Sequence, residues 1–231
     1  MNNYSLWLGG LFLGLMALLI GNYFFKLKRK NVFDVLLEET EAYVSQLFQQ
    51  HWHKDLVYHD LEHTRLVVSR TREIASNYRL DKLRQFLLFA AAWFHDTGQL
   101  SGNPSGHEER SVLLMKEFML ARGIELDVIF DIAACIRATA IPHNPRNTIQ
   151  EIICDADTYN LGSEEFLITD EKLARELYKR CGMDLTDWDS KTLNFLTAHR
   201  FYTPYCGSLL TKGKEANIET VKARIKEKQT K

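Results

Sequence analysis

The feature that most constrains the fold is the apolar run Phe86–Phe94, closed by the pair His95-Asp96. Leu83, Phe86, Leu87, Ala90, Ala91 and Phe94 recur at helical spacing, and Phe89 and Trp93 fill the opposite side. A helix that is apolar nearly all round has to be buried. Asp81 stands where it can cap the start, and Thr97-Gly98 break the end. The end of a core helix therefore presents an imidazole and a carboxylate side by side. Two adjacent metal-capable groups in that position point to a bound divalent metal.

The chain has 231 residues, enough for one domain, or one domain with an appendage, and for a sizeable core. Its 29 basic and 30 acidic side chains nearly cancel, so no nucleic-acid footprint is expected. Cys135, Cys154, Cys181 and Cys206 contain no CxxC pair. That spacing suits reduced, buried thiols and argues against a zinc ribbon or a disulfide scaffold.

Leu6 to Phe25 is an uncharged run of 20 residues, followed at once by Lys26, Lys28, Arg29 and Lys30. About 20 apolar residues cross a bilayer as a helix, and the basic flank stays in the cytoplasm. A single-pass membrane protein is thus expected. Residues 1–30 would form the anchor, with the N-terminus outside and residues 31–231 as a cytoplasmic domain. A cleaved signal peptide would need a basic start and a small-residue cleavage site, and both are missing. Gly10 and Gly14, and Ala17 and Gly21, are small-residue pairs through which two such helices could meet as a homodimer.

The rest reads as all-α. Helices are expected over Val32–Gln50, Leu61–Tyr78, Ser111–Ala121 and Leu126–Ala140, with His51-Trp52-His53 as a helix end or loop. Thr148-x-x-Glu151 reads as a capping box, and Ser163 and Thr186 open later helices in the same way. Lys212–Lys231 reads as a solvated helix with one narrow apolar stripe.

Four strings then carry a resemblance: YHDLEHTRLVV (Tyr58–Val68), AAAWFHDTG (Ala90–Gly98), GHEERS (Gly106–Ser111) and CDADTYNLG (Cys154–Gly162). In this order, on a helical background, they resemble the HD-domain superfamily of metal-dependent phosphohydrolases over residues 58–162, with weaker similarity onward to HRFYTPY (His199–Tyr205). The resemblance implies a helical bundle in which His63, His95, Asp96 and Asp157 hold the metal. Asp155 is a rival for Asp157, but the family pattern places the ligand directly after the alanine, so Asp155 is expected to orient its neighbours instead. Mixed imidazole and carboxylate ligands suit Mn, Fe, Co, Ni, Zn or, with more water, Mg. Such an ion polarises a phosphoryl oxygen and makes its bound water acidic.

His107 and His143 would extend the pattern to that of the two-metal branch, so one ion or two are both open. In the one-ion case Glu108 is expected to support a ligand or transfer a proton. His59, four residues before His63, shares its helix face. The cyclic-nucleotide phosphodiesterases are similar here over HNxxH, which implies that His59 is the general acid, with Asp60 in place of Asn. Arg65 and Arg137 are the cations nearest the motifs and are expected to hold phosphate. Together these residues imply a membrane-anchored phosphohydrolase acting on a nucleotide or similar phosphate ester, with Asp96, His59 and Glu108 catalytic. The alternatives are a nucleotide-sensing module without turnover and a di-iron oxygenase of the same superfamily.

Overall fold

The computed structural model describes residues 32–230, and every regular element among them is helical. The helices are α1 (Val32–His51), α2 (Leu61–Ala75), α3 (Lys82–Phe94), α4 (His107–Leu120), α5 (Leu126–Ala138), α6 (Thr148–Asp157), α7 (Phe166–Cys181), α8 (Trp188–Ala198) and α9 (Pro204–Gln229). Two short 3-10 turns follow α3 (Thr97–Leu100) and α6 (Tyr159–Gly162).

The structure corrects the expectation of a single-pass membrane protein: among the described residues no helix is long and apolar enough to cross a membrane. Leu6–Phe25, on which that expectation and the homodimer contact rested, lies outside the described residues.

Helix α3 occupies the middle, packed by α1, α2, α5 and α6. Every residue from Phe86 to Phe94 is buried, whereas Leu83, one turn earlier, is exposed. Removing one Phe or Leu side chain from water is worth about 1.5–3 kcal/mol, so this segment dominates the core. Asp81 caps the helix as expected, accepting from Arg84 N at 2.8 Å. Phe33 stacks on Phe86 with centroids 5.0 Å apart, and Tyr43, Phe94 and Phe118 form a triangle that joins α1, α3 and α4. A smaller apolar cluster of Leu161, Phe166, Leu196 and Val221 unites α7, α8 and α9.

Several boundaries differ from expectation, each for a local reason. Helix α2 stops at Ala75, three residues early, and Ser76–Tyr78 turn back on it. Helix α4 begins at His107 rather than Ser111, behind Gly106 in the left-handed region (φ 71°). Its first turn, His-Glu-Glu-Arg, has no apolar periodicity to announce it, yet acidic residues suit a helix N-terminus. Helix α6 is capped by Asn147, which accepts from Gln150 N at 3.1 Å, and not by Thr148. Ser163 and Thr186 precede α7 and α8 by two or more residues without capping them; Glu165 and Asp187 stand at the cap positions. Helix α9 starts at Pro204, with Thr203 as its cap, well before Lys212.

The turn after α3 is clasped from outside. Ser111 Oγ donates to His95 O (2.6 Å) and accepts from Gly98 N (2.8 Å). Gly98 lies so close to α4 that a Cβ there would stand 2.0 Å from His107 O. Overpacking of this kind costs about 1–3 kcal/mol, so Gly98→Ala is expected to lower unfolding free energy by that amount in urea titrations. Gly207→Ala on α9, where a Cβ would meet nothing within 4 Å, is the matched control and should be neutral or stabilising.

Candidate metal centre

Three helix ends converge on one point. His63 stands in the first turn of α2, His95 and Asp96 leave the end of α3, and Asp157 closes α6. The position of His63 is set by Asp60, the N-cap of α2, whose carboxylate accepts from His63 N at 2.9 Å. Asp and Asn are equivalent caps, which gives a local reason for Asp60 in the HDLEH string.

One donor atom from each of His63, His95, Asp96 and Asp157 lies within 4.8 Å of all the others. His63 Nε2 is 3.2 Å from Asp96 Oδ2 and 3.3 Å from Asp157 Oδ1. His95 Nε2 is 3.1 and 3.4 Å from the same two oxygens. Two ligands each about 2.1 Å from a shared ion stand roughly 3–3.5 Å apart, so these spacings are ligand–ligand spacings.

The hydrogen bonding agrees. His63 Nε2, His95 Nε2 and Asp96 Oδ2 are buried and have no hydrogen-bond partner. His95 Nδ1 is 2.8 Å from Ala92 O, and a nitrogen facing a carbonyl must carry the proton. The lone pair of neutral His95 is therefore on Nε2, aimed at the cluster. A cation would satisfy all three orphaned atoms at once, and the mixed donor set fits a transition metal.

Without an ion the cluster holds protons instead. Burial alone would favour neutral His63, but Asp157 and Asp96 override it and push its pKa up to about 9. His95 also moves well up, burial again being outweighed by Asp96 and Asp157. Burial would raise the two carboxylates, yet the facing histidines hold both Asp96 and Asp157 below the usual carboxylate range.

His107 joins through the other carboxylate oxygen, with Nε2 3.1 Å from Asp96 Oδ1 and Nδ1 2.9 Å from Pro104 O. His59, Glu108 and His107 line a cleft of about 410 Å³ that also reaches Asp96 and Asp157. His143 does not join: its ring lies against His199 and Tyr202, with centroids 6.4 and 6.2 Å away. Of the two further histidines of the extended pattern, His107 alone lies against the cluster. Arg65 is exposed on α2, and Arg137 is engaged twice by Glu109, at 2.6 and 2.8 Å. Neither lines the three cavities that reach Asp157. Arg70 and Lys191 do line them. Asp155, fully buried, accepts from Tyr202 N, Thr203 N and Thr203 Oγ1; it ties down the entry to α9 and leaves the cluster to Asp157.

The residue that sequence reasoning missed is Glu176 on α7. It is completely buried, and Oε2 accepts from Val57 N, Tyr58 N and His59 N at 2.9, 2.7 and 3.1 Å. Its Oε1 is 2.7 Å from His59 Nδ1 and 3.0 Å from Arg180. Burial would raise its pKa, but His59 and the backbone donors hold it down at about 2. Arg180 also reaches Gln99 Oε1 and Gln99 O, joining α7 to the turn after Asp96. The Glu176/Arg180 spacing on an amphipathic helix was the one signal available, and it reads equally well as a surface pair.

No family model and no curated protein matches this sequence. The chain is similar to the crystal structure of a Lactobacillus plantarum protein, a structural-genomics target, with a TM-score of 0.63 at 16% identity. That likeness covers 86% of this chain and 99% of the other, and it shows a shared fold.

A metal ligand has to be deprotonated at the binding nitrogen. His63, with its pKa near 9, carries a proton at neutral pH that an ion must displace. Titration of the full chain with Zn or Mn should therefore release at least one proton per ion, read by calorimetry in buffers of different ionisation enthalpy. Apparent affinity should rise with pH; affinity flat between roughly pH 6 and pH 8 would contradict the assignment.

Proposed function

We propose that the chain is a metal-dependent phosphohydrolase of the HD-domain kind that hydrolyses a phosphate ester. The observation that carries this reading is the convergence of three orphaned buried atoms, His63 Nε2, His95 Nε2 and Asp96 Oδ2, beside Asp157. The order of the motif strings supports it, as does a proton-transfer group on the same cleft.

His63, His95, Asp96 and Asp157 would hold the ion, which when bound supplies a Lewis acid for the phosphoryl oxygens and an acidified water. Two carboxylates at the cluster repel a phosphate anion by themselves, so substrate approach depends on a cation there. His59 is the proton donor. Its Nδ1 is fixed on Glu176 Oε1, which leaves Nε2 for the leaving oxygen. Glu176, engaged by three backbone N–H groups as well, positions His59 and does not reach the reacting atoms. Glu108 lines the same cleft, 3.6 Å from His107 Nδ1, where it can take up the proton of the attacking water. The cluster speaks only to the phosphoryl group; the organic half of the substrate falls to the cavity walls.

The test is elemental analysis of the full chain followed by phosphate release from a panel of esters under Mn, Mg, Co and Fe. Asp96→Ala should lose both bound metal and phosphate release while keeping its helical circular dichroism. Metal bound in the native chain with no phosphate released from any ester would overturn the reading and favour a sensing module. His59→Ala should retain metal and lose about 10²–10⁴-fold in kcat. Glu176→Gln should lower kcat less and displace its pH profile, a shift that a merely structural part would not produce.

A further inference from the structure

A second cavity opens on the far side of Asp157. It encloses about 340 Å³, within the range of small-molecule sites, and Tyr58, His59 and Asp157 form its inner end. One cluster residue, Asp157, and the proposed proton donor therefore border it directly. Its walls are apolar: Leu161, Phe166, Leu173, Leu177, Trp188 and Phe195, from α7, α8 and the turn after α6.

Most polar side chains along these walls already have hydrogen-bond partners within the protein, the exception being Asp170 Oδ2, which is buried without one. Asn160 Nδ2 donates to Thr169 Oγ1 at 3.0 Å. Thr158 Oγ1 donates to Cys154 O and meets His199 Nε2. Trp188 Nε1 and Thr192 Oγ1 both donate to Asp170 Oδ1, while Asp170 Oδ2 faces Arg224 at 3.9 Å. Lys191 Nζ donates to Asp184 O at 3.1 Å. A nucleobase edge carries several donors and acceptors. Each one buried here without a partner would cost about 1–3 kcal/mol, whereas a hydrocarbon surface loses nothing and gains burial.

We propose that the organic half of the substrate is apolar, an aryl or alkyl group, seated between α7 and α8 with its phosphate ester at the His63/His95/Asp96/Asp157 cluster. This rests on the phosphohydrolase reading and adds the substrate class to it. In the reaction, the water oxygen bonds to phosphorus as its proton passes to Glu108, the ester P–O bond breaks, and the departing alkoxide or phenoxide oxygen takes a proton from His59. The products are inorganic phosphate and a hydrophobic alcohol or phenol. Departure of that alcohol leads back through the apolar cavity, away from the polar cleft at Glu108.

The test compares 1-naphthyl phosphate, glycerol phosphate and nucleoside monophosphates on the metal-loaded full chain. It also measures binding of 1-naphthol, the uncharged product, to metal-free chain by quenching of Trp188, with Trp188→Phe as the blank. Naphthyl phosphate should show a KM at least about tenfold below the other two, a gap that needs only about 1.4 kcal/mol of hydrocarbon burial. Leu173→Phe, which fills the cavity, should erase that gap and the quenching while leaving metal content and turnover of glycerol phosphate in place. If this variant fails to fold, Leu177→Gln makes the same comparison by polarity. Nucleoside monophosphates preferred, with either variant inert, would overturn the apolar substrate and leave the hydrolase standing. If no ester releases phosphate, the hydrolase reading fails, and the quenching still decides the cavity: quenching seen in the native chain and lost in the variants supports an apolar ligand, and quenching absent from the native chain or unchanged in the variants overturns it.

Discussion

Everything in this molecule follows from burying α3 on all sides. Phe86 to Phe94 can be shielded from water only if α1, α2, α5 and α6 surround them, and that enclosure fixes where the helix ends. At that end the chain has to place His95 and Asp96 in the same shielded environment. A buried carboxylate and a buried imidazole are tolerable only with partners. The neighbouring helices supply them: α2 brings His63 and α6 brings Asp157, so the partners are themselves metal-capable groups. The apolar core and the polar cluster are thus one construction, and the clasp of Ser111 on His95 O and Gly98 N holds its corner in place.

Charge and hydrogen bonding distinguish the cluster, which could hold a metal ion, from a saturated salt-bridge knot. In an ion-pair network each buried polar atom finds a directed partner. Here three do not, although their neighbours stand only 3.1–3.3 Å away. Orphaned atoms this close together are ones that a single cation could satisfy. The contrast with Glu176 is instructive: it is equally buried, but both of its oxygens are fully used by backbone N–H groups, His59 and Arg180. Glu176 is saturated and so can only position; Asp96 is unsaturated and so can still bind.

The two halves of the described chain divide the work. Helices α2, α3 and α6 assemble the charged cluster, while α7 and α8 wall the apolar cavity beside it. The seam between them is tight. Gly162 and Gly213 approach so closely that a Cβ on Gly213 would stand 2.0 Å from Gly162 O, which seats the turn after Asp157 directly on α9. Asp155 adds a second fastening by accepting from the backbone at Tyr202 and Thr203. The wall of the cavity and the cluster residue Asp157 are consequently set by the same short segment.

The sequence by itself determined the helical class, the burial of Phe86–Phe94, the Asp81 cap and the four cluster residues. Each of those is written in local periodicity or in a motif whose residues lie in order along the chain. It misplaced the start of α4 because a charged first turn has no apolar rhythm. Only the tertiary structure decided that His107 reaches Asp96 while His143 turns to His199, that Glu176 holds His59, and that an apolar cavity borders Asp157. The physical reason is that these depend on which faces of distant helices meet. A helix face records that it is buried, but not what it is buried against.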